Sequence, residues 1–284
     1  MNVETTPMAA QAPTPGTLPG GLSYAERRIG RVNWLGVWTL YCKEVQRFLK
    51  VVLQTVLAPA VTAVLFFTIF TLAFGGASRP VGDIPFAQFL VPGLIMMAIV
   101  QNSFANTSSS LLIGKVQGNI VDVLMPPLSP GELTIAFALG GLSRGLLVAV
   151  SVAVPLYPFV EITLHHPLIA VYFAVMASLL LSFIGMLGGI WADKFDHMAA
   201  VTNFVIMPLS FLSGTFYSIQ RLPELWQQIS QFNPFFYMID GFRYAFIDHA
   251  DGSIALGMAV LLGLNILLGL TCLWVFRRGY RLKP

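Results

Sequence analysis

Six stretches of this chain, at about 52–74, 86–112, 132–157, 167–191, 199–218 and 254–276, are apolar over roughly 20 residues or more. At about 1.5 Å of rise per residue, each is long enough as a helix to cross the ~30 Å hydrocarbon core of a bilayer. In lipid the backbone amides have no solvent to bond, and single segments of this length satisfy them only as helices. The expected fold is therefore an all-α integral membrane protein with six transmembrane helices. Composition agrees, with 56% hydrophobic and 10% charged residues, where a soluble domain carries about 25% charged. A mean hydropathy of +0.75 excludes a disordered chain and a nucleic-acid binder.

The basic residues orient the spans. Arg27, Arg28, Arg31, Lys43, Arg47 and Lys50 precede the first span; Lys115 and Lys194 lie in the second and fourth loops; Arg277, Arg278, Arg281 and Lys283 follow the last. Only Arg79, Arg221 and Arg243 fall on the opposite side, and Arg144 sits inside a span. This asymmetry places both termini in the cytoplasm. Residues 1–30, rich in Pro, Gly, Ala and Thr, read as a disordered cytoplasmic tail, and 31–284 as the membrane domain.

Three further segments are structured but do not span. Trp34 to Lys50 mixes Trp34, Trp38, Tyr41 and Phe48 with Lys43, Glu44, Arg47 and Lys50, as suits a helix lying along headgroups. In the loop 114–130, Gln117 to Met125 can form a short helix with Ile120 and Leu124, and Val121 and Met125, at i,i+4 spacing. Pro126, Pro127 and Pro130 stop it. Between the fifth and sixth spans, Leu222, Leu225, Trp226 and Ile229 share one helical face, Asn233-Pro234 breaks the chain, and a second helix runs from Phe235 to Ile247. This pair reads as a hairpin dipping into the outer leaflet, with Trp226, Phe232, Phe235, Phe236 and Tyr237 near the exit or anchored at the interface.

Several motifs invite a chemical reading. Gly141-Leu142-Ser143-Arg144-Gly145 matches G-x-S-x-G, but that nucleophile motif needs a strand–turn–helix setting, whereas here it lies in an apolar helix. Gly141 and Gly145, four apart, read as a helix-packing face. Arg144 lies about 18 Å into the third span, where an unpaired guanidinium costs several kcal/mol. It either lines a path or a protomer interface, or bonds polar groups of the second span. That span carries Gln101, Asn102, Ser103, Asn106, Thr107, Ser108, Ser109 and Ser110 in its cytoplasmic half, serving as packing glue or as a substrate path. Asn102, Asn106, Ser109 and Arg144 are the candidate path or interface residues. His165, His166, His197 and His249 lack metal-ligand spacing, so no metal is expected. The turn carrying Asp193, Lys194, Asp196 and His197 reads as solvated. Cys42 and Cys272 read as packing residues, and Asp240 and Arg243, three apart on a helix, can pair.

No G-x-x-x-x-G-K-[ST] loop is present, so ATP would have to be bound by another chain. Three motifs then stand in order. The first runs Gln88-Phe89-Leu90-Val91-Pro92-Gly93-Leu94-Ile95-Met96-Met97, with Asn106 and Ser108-Ser109 downstream. The second is Gln117-Gly118-Asn119-Ile120-Val121-Asp122-Val123-Leu124 before Pro126 and Pro127. The third runs Asn233-Pro234-Phe235-Phe236-Tyr237-Met238-Ile239-Asp240-Gly241-Phe242-Arg243-Tyr244. From about Trp34 onward the chain resembles the ABC-2 type permease, the membrane subunit of type-2 ABC exporters, near its YadH-like bacterial branch.

That resemblance implies an amphipathic elbow helix carrying Lys43, Glu44 and Arg47, and a coupling helix formed by Gln117, Asn119, Ile120, Val121, Asp122, Val123, Leu124 and Met125. It implies a re-entrant hairpin holding Trp226, Asn233, Pro234, Tyr237, Asp240 and Arg243. It further implies a homodimer in the bacterial inner membrane, among lipids, bound to two copies of a cytoplasmic ATPase that carries the ATP and Mg. No cofactor is bound by this chain itself. The expected cargo is amphiphilic, lipid-like or glycan-linked. Family members often carry a basic residue where Gly118 stands, a departure that would soften the helix start or alter its ATPase contact. An ion- or proton-coupled secondary transporter is the alternative, and it would want acids buried in the spans. A membrane hydrolase acting through Ser143 is a third.

Overall fold

The computed structural model describes residues 30, 32–73, 80, 81, 84–161 and 163–280. The expectations for the tail and for Arg27, Arg28, Arg31, Arg79, Arg281 and Lys283 lie outside the described residues. From Trp34 onward the chain is a helical bundle. Helix α1 spans Trp34–Leu49, α2 Leu53–Ala73, α3 Phe86–Val116, α4 Ile120–Leu124 and α5 Pro130–Leu156. Then come α6 at Pro167–Trp191, α7 at Phe195–Leu212, α8 at Glu224–Gln231, α9 at Pro234–Ile247 and α10 at Ile254–Arg278. A two-residue antiparallel ladder, Pro80–Val81 with Ile84–Pro85, precedes α3.

Six of these helices (α2, α3, α5, α6, α7 and α10) are long and apolar enough to cross a membrane. Five match the expected spans closely. The fifth differs: α7 occupies Phe195–Leu212, earlier than the expected 199–218. After Leu212 the chain turns through Gly214, whose φ of 79° suits a residue without a Cβ. The apolar residues beyond it, Phe216 in the loop and Ile219 at the start of a 3-10 turn, instead pack onto the core.

Helix α3 is the axis of the bundle. Of its most apolar window 83% is buried, against 17% for α2 and for α7. It is flanked by α5, α6, α9 and α2, while α2 and α7 turn most of their hydrocarbon outward. Both peripheral helices contain a π-turn, at Leu53–Leu57 and Thr202–Ile206. Each is followed two residues later by a proline, Pro59 and Pro208. A proline ring collides with the carbonyl four residues back, and a widened turn accommodates that carbonyl without breaking the helix.

Local chemistry sets the helix ends. Ser129 and Glu132 form a capping box ahead of α5: Ser129 N donates to Glu132 Oε2 at 2.6 Å and Glu132 N to Ser129 Oγ at 3.3 Å. Pro130 takes the first helical position. At the C-terminus of α6, Lys115 Nζ donates to the carbonyls of Ile190 and Ala192 at 2.7 and 2.8 Å and pairs with Asp193 at 3.3 Å. The 193–197 turn is solvated as expected, with Asp193, Lys194 and Asp196 exposed, and Lys115 also ties it to α3.

Candidate functional site

The polar half of α3 divides into three faces. One meets α1. Glu44 is 1% exposed, accepts from Ser110 Oγ at 2.6 Å, and pairs with Arg47 at 3.1 Å. Arg47 in turn donates to Asn106 O at 2.6 Å, Asn106 Oδ1 at 2.9 Å and Ser109 Oγ at 3.1 Å. Only Lys43 of the expected trio is exposed, so Glu44 and Arg47 are corrected from headgroup residues to a clasp between α1 and α3. The period explains it: Val37, Leu40, Glu44 and Phe48 recur at three- and four-residue steps along the buried stripe of α1, while Trp34 and Trp38 point outward.

The second face meets α5 and α6 through small residues. A Cβ at Gly141 would overlap Ser182 Oγ, and one at Gly145 would overlap Ser103 Oγ and stand 2.7 Å from Ser178 Oγ. Gly185 and Gly189 face the backbone of Phe104 and Ser108 just as closely. Thr107 Oγ1 donates to Ser182 O at 2.9 Å. Gly141 and Gly145 are thus a packing face. Ser143 shares a hydrogen bond with Tyr41 at 2.9 Å, and among the described residues no histidine bonds it. Its hydroxyl belongs to the α1–α5 contact.

The third face opens onto a cavity of about 300 Å³ between α2, α3 and α5, lined by Gln54, Thr62, Phe66, Met97, Gln101 and Arg144 among others. Arg144 Nη2 donates to Asn102 Oδ1 at 3.1 Å. Its Nε has no partner among the described residues, and neither does Gln101 Nε2. Of the four expected path residues, then, Asn102 and Arg144 meet at a cavity, whereas Asn106 and Ser109 serve the α1 clasp. Gln101 was named only as one of the polar group; its position one residue before Asn102, on the turn facing α2, is what singles it out.

Between the C-terminus of α3 and the capped N-terminus of α5 lies α4, which is five residues long, shorter than the expected Gln117–Met125. Gly118 takes φ 75°, a left-handed conformation that a basic residue would adopt only with strain, so it ends α3 and turns the chain into α4. Ile120 is buried against Gly114, and Val123 and Leu124 pack on the same core as Leu111, Leu133 and Phe137. Gln117, Asn119 and Asp122 are exposed. Met125 is 77% and Val121 43% exposed. The outward apolar pair is Val121 and Met125, and Leu124 faces inward.

The third motif packs onto the first. Arg243, 2% exposed, donates to Phe89 O at 3.3 Å and Gly214 O at 2.6 Å, and its guanidinium lies 3.8 Å over the Phe89 ring. Gly93 admits it: a Cβ there would stand 2.6 Å from Thr215 O and 3.3 Å from Arg243 Nη2. Asp240 accepts from Asp251 N at 2.8 Å and Gly252 N at 2.9 Å. The expected Asp240–Arg243 pair is corrected, because each side chain is turned to backbone groups on a different element. Asn233 caps Phe235 N at 3.1 Å and donates to Ser213 Oγ at 2.7 Å. Phe235, Phe236 and Tyr237 are buried, whereas Trp226 is 46% and Phe232 89% exposed. Leu225, Trp226 and Ile229 present the outward apolar face of α8.

His166 Nε2 meets Asp248 Oδ1 at 3.1 Å, and His165 Nδ1 lies 2.6 Å from Phe246 O, joining the loop before α6 to the end of α9. That contact with His166, then one with Tyr244, holds the Asp248 carboxyl below its ordinary pKa. Among the described residues no cluster of His, Cys, Asp and Glu could hold a metal.

The described residues form a bundle with six helices apolar enough to cross a membrane around a buried polar axis. Comparison with known proteins places this bundle in a family. The ABC-2 type transporter family matches residues 36–247. This chain belongs to that family. It is 34% identical over 250 residues to the inner membrane transport permease YadH of Escherichia coli strain K12, covering 88% of this chain and 98% of the relative. It is 24% identical over 239 residues to nodulation protein J of Sinorhizobium fredii, covering 81% and 87%. It is 23% identical over 259 residues to nodulation protein J of Rhizobium leguminosarum bv. viciae, covering 88% and 95%. The protein is a non-enzymatic, multi-pass membrane permease subunit of an ABC transporter. In this ABC-2 permease the matched region takes in α1, the cavity, α4 and the Arg243 clasp, and it ends at Ile247, the last residue of α9.

Proposed function

We propose that the chain forms the translocation path of an exporter driven by a separate cytoplasmic ATPase, as a homodimer bound to two ATPase copies in the bacterial inner membrane, with both termini cytoplasmic. ATP and Mg belong to the ATPase. The cargo is amphiphilic, lipid-like or glycan-linked, in keeping with a cavity that has hydrocarbon on one side and amides and a guanidinium on the other. Helix α1 is the elbow, and α8 and α9 form the re-entrant hairpin.

One observation carries the coupling role. At the turn between α3 and α5, α4 holds Ile120, Val123 and Leu124 to the bundle while Val121 and Met125 face outward among polar residues. An apolar pair standing on a rigid stub is a contact for another protein, and a push on it reaches α3 and α5 together. ATP shifts the transporter only by binding the closed ATPase pair more tightly than the open one, and rigid-body motion of the spans follows.

The test is a pull-down of tagged protein from mild detergent followed by an ATPase assay. Val121→Asp with Met125→Asp replaces burial worth about 1.5–3 kcal/mol per side chain with two charges, so association should weaken by more than about tenfold while gel filtration stays unchanged. Undiminished copurification would remove α4 from the role. A wild-type preparation that never brings an ATPase, yet transports on an ion gradient, would favour the secondary transporter.

A further inference from the structure

The cavity beside Arg144 carries an unmet charge. Arg144 stands 14 residues beyond the start of α5 at Pro130, about 21 Å along a helix of roughly 40 Å, and so near the middle of the span. Among the described residues, the charged side chains of the surrounding network are Glu44, Arg47 and Arg144. Glu44 is satisfied by Arg47 and Ser110, and Arg47 repels Arg144. Two arginines against one glutamate leave one positive charge at mid-span. A guanidinium has five donors; Asn102 Oδ1 takes one from Arg144, and Nε remains unpartnered.

A second buried donor without a partner among the described residues, Gln101 Nε2, belongs to a residue that lines the same cavity. One uncompensated cation lining a cavity within a span calls for an anion, since a mid-span charge is costly unless paired. Phe66, Leu94 and Met97 line the same space, so the ligand has hydrocarbon beside its anionic group. About 300 Å³ accommodates a headgroup and the root of a chain, not a whole lipid.

We propose that this cavity binds the anionic head of an amphiphile, a phosphate ester or carboxylate, held by Arg144 and Gln101 with its hydrocarbon against Phe66 and Met97. The ligand is either cargo or a resident lipid, and reading it as cargo rests on the export function proposed above.

The test uses labelled decyl phosphate, with decyltrimethylammonium as competitor control, on purified full-length protein in dodecyl maltoside. The saturable binding above micelle partitioning is measured. Wild type should bind about one decyl phosphate per chain, undisturbed by decyltrimethylammonium. Arg144→Gln should weaken binding at least about tenfold, the scale of a lost charge-assisted hydrogen bond, and Arg144→Lys should recover part of it. Ala98→Leu, which fills the cavity and leaves the arginine in place, should weaken binding as much, which guards against misfolding of the arginine variant. No saturable binding to wild type, or equal affinity in wild type, Arg144→Gln and Ala98→Leu, overturns the site.

Repeating the measurement on the complex with its ATPase separates the sources. Arg144-dependent binding that raises ATP hydrolysis identifies cargo, and the same binding with hydrolysis unchanged identifies a resident lipid; the site stands in both cases. Should no ATPase copurify, the export reading fails by itself, and binding to the permease alone still judges the cavity.

Discussion

Gly145 gives the sharpest test of how the bundle closes around α3. Lipid competes with hydrocarbon for every apolar helix face, so close approach of small residues supplies packing that large side chains cannot. Adding a Cβ at Gly145 drives it into Ser103 Oγ and to 2.7 Å from Ser178 Oγ, while the Ser178 Cβ lies 3.4 Å away in ordinary contact. Both hydroxyls are buried without a partner among the described residues. Gly145→Ala gains about 0.5–1 kcal/mol of helix preference but costs about 1–3 kcal/mol of overpacking, so the net effect should be a loss of up to about 2.5 kcal/mol. In a Ser103→Ala, Ser178→Ala background the obstruction is gone and no recorded hydrogen bond has been forfeited. There the same substitution should stabilise by up to about 1 kcal/mol. Reversible unfolding in mixed detergent micelles, followed by tryptophan fluorescence, reads both changes. An equal loss in the two backgrounds would refute the explanation, since the hydroxyls would then not be what Gly145 makes room for.

Other substitutions probe the remaining contacts. Arg243→Met removes the donors to Phe89 O and Gly214 O and should cost about 3 kcal/mol or more in the same assay, with Arg243→Lys milder; an unchanged midpoint would show that the clasp is dispensable. Leu124→Asp places a charge in packed hydrocarbon and should lower bundle stability as well as ATPase association, whereas Val121→Asp should lower association alone. Identical profiles would mean that α4 has no distinct inner and outer sides. Asp248 has a depressed folded pKa, so its contribution is present above the ordinary carboxylate value and is lost as pH falls through the folded one. The melting temperatures of wild type and Asp248→Asn should therefore differ at pH 7 and begin to converge only as pH falls below the ordinary carboxylate value of about 4. Curves that stay parallel into acid would remove the carboxylate from the junction.

The membrane class and the six spans were legible because each depends on a local rule: hydrocarbon length and backbone satisfaction in lipid. The fifth span was misplaced because apolar composition continues past Leu212. A turn at Gly214 and burial against the core use Phe216 and Ile219 as well as a span would.

Partnership is a different matter. Asp240 and Arg243 have helix-pair spacing, yet strands of loop and a neighbouring helix offer each better backbone partners. Helical spacing brings two side chains within reach of each other without deciding what else comes within reach. The same holds for the polar half of α3, where Asn106 and Ser109 went to Arg47 and Gln101 and Asn102 to a cavity. A 3.6-residue period sets where each side chain leaves the α3 axis, and so which residues share a face. What stands opposite each face is decided by the approach of α1, α2, α5 and α6, through contacts 40 to 100 residues apart in sequence that no local pattern encodes.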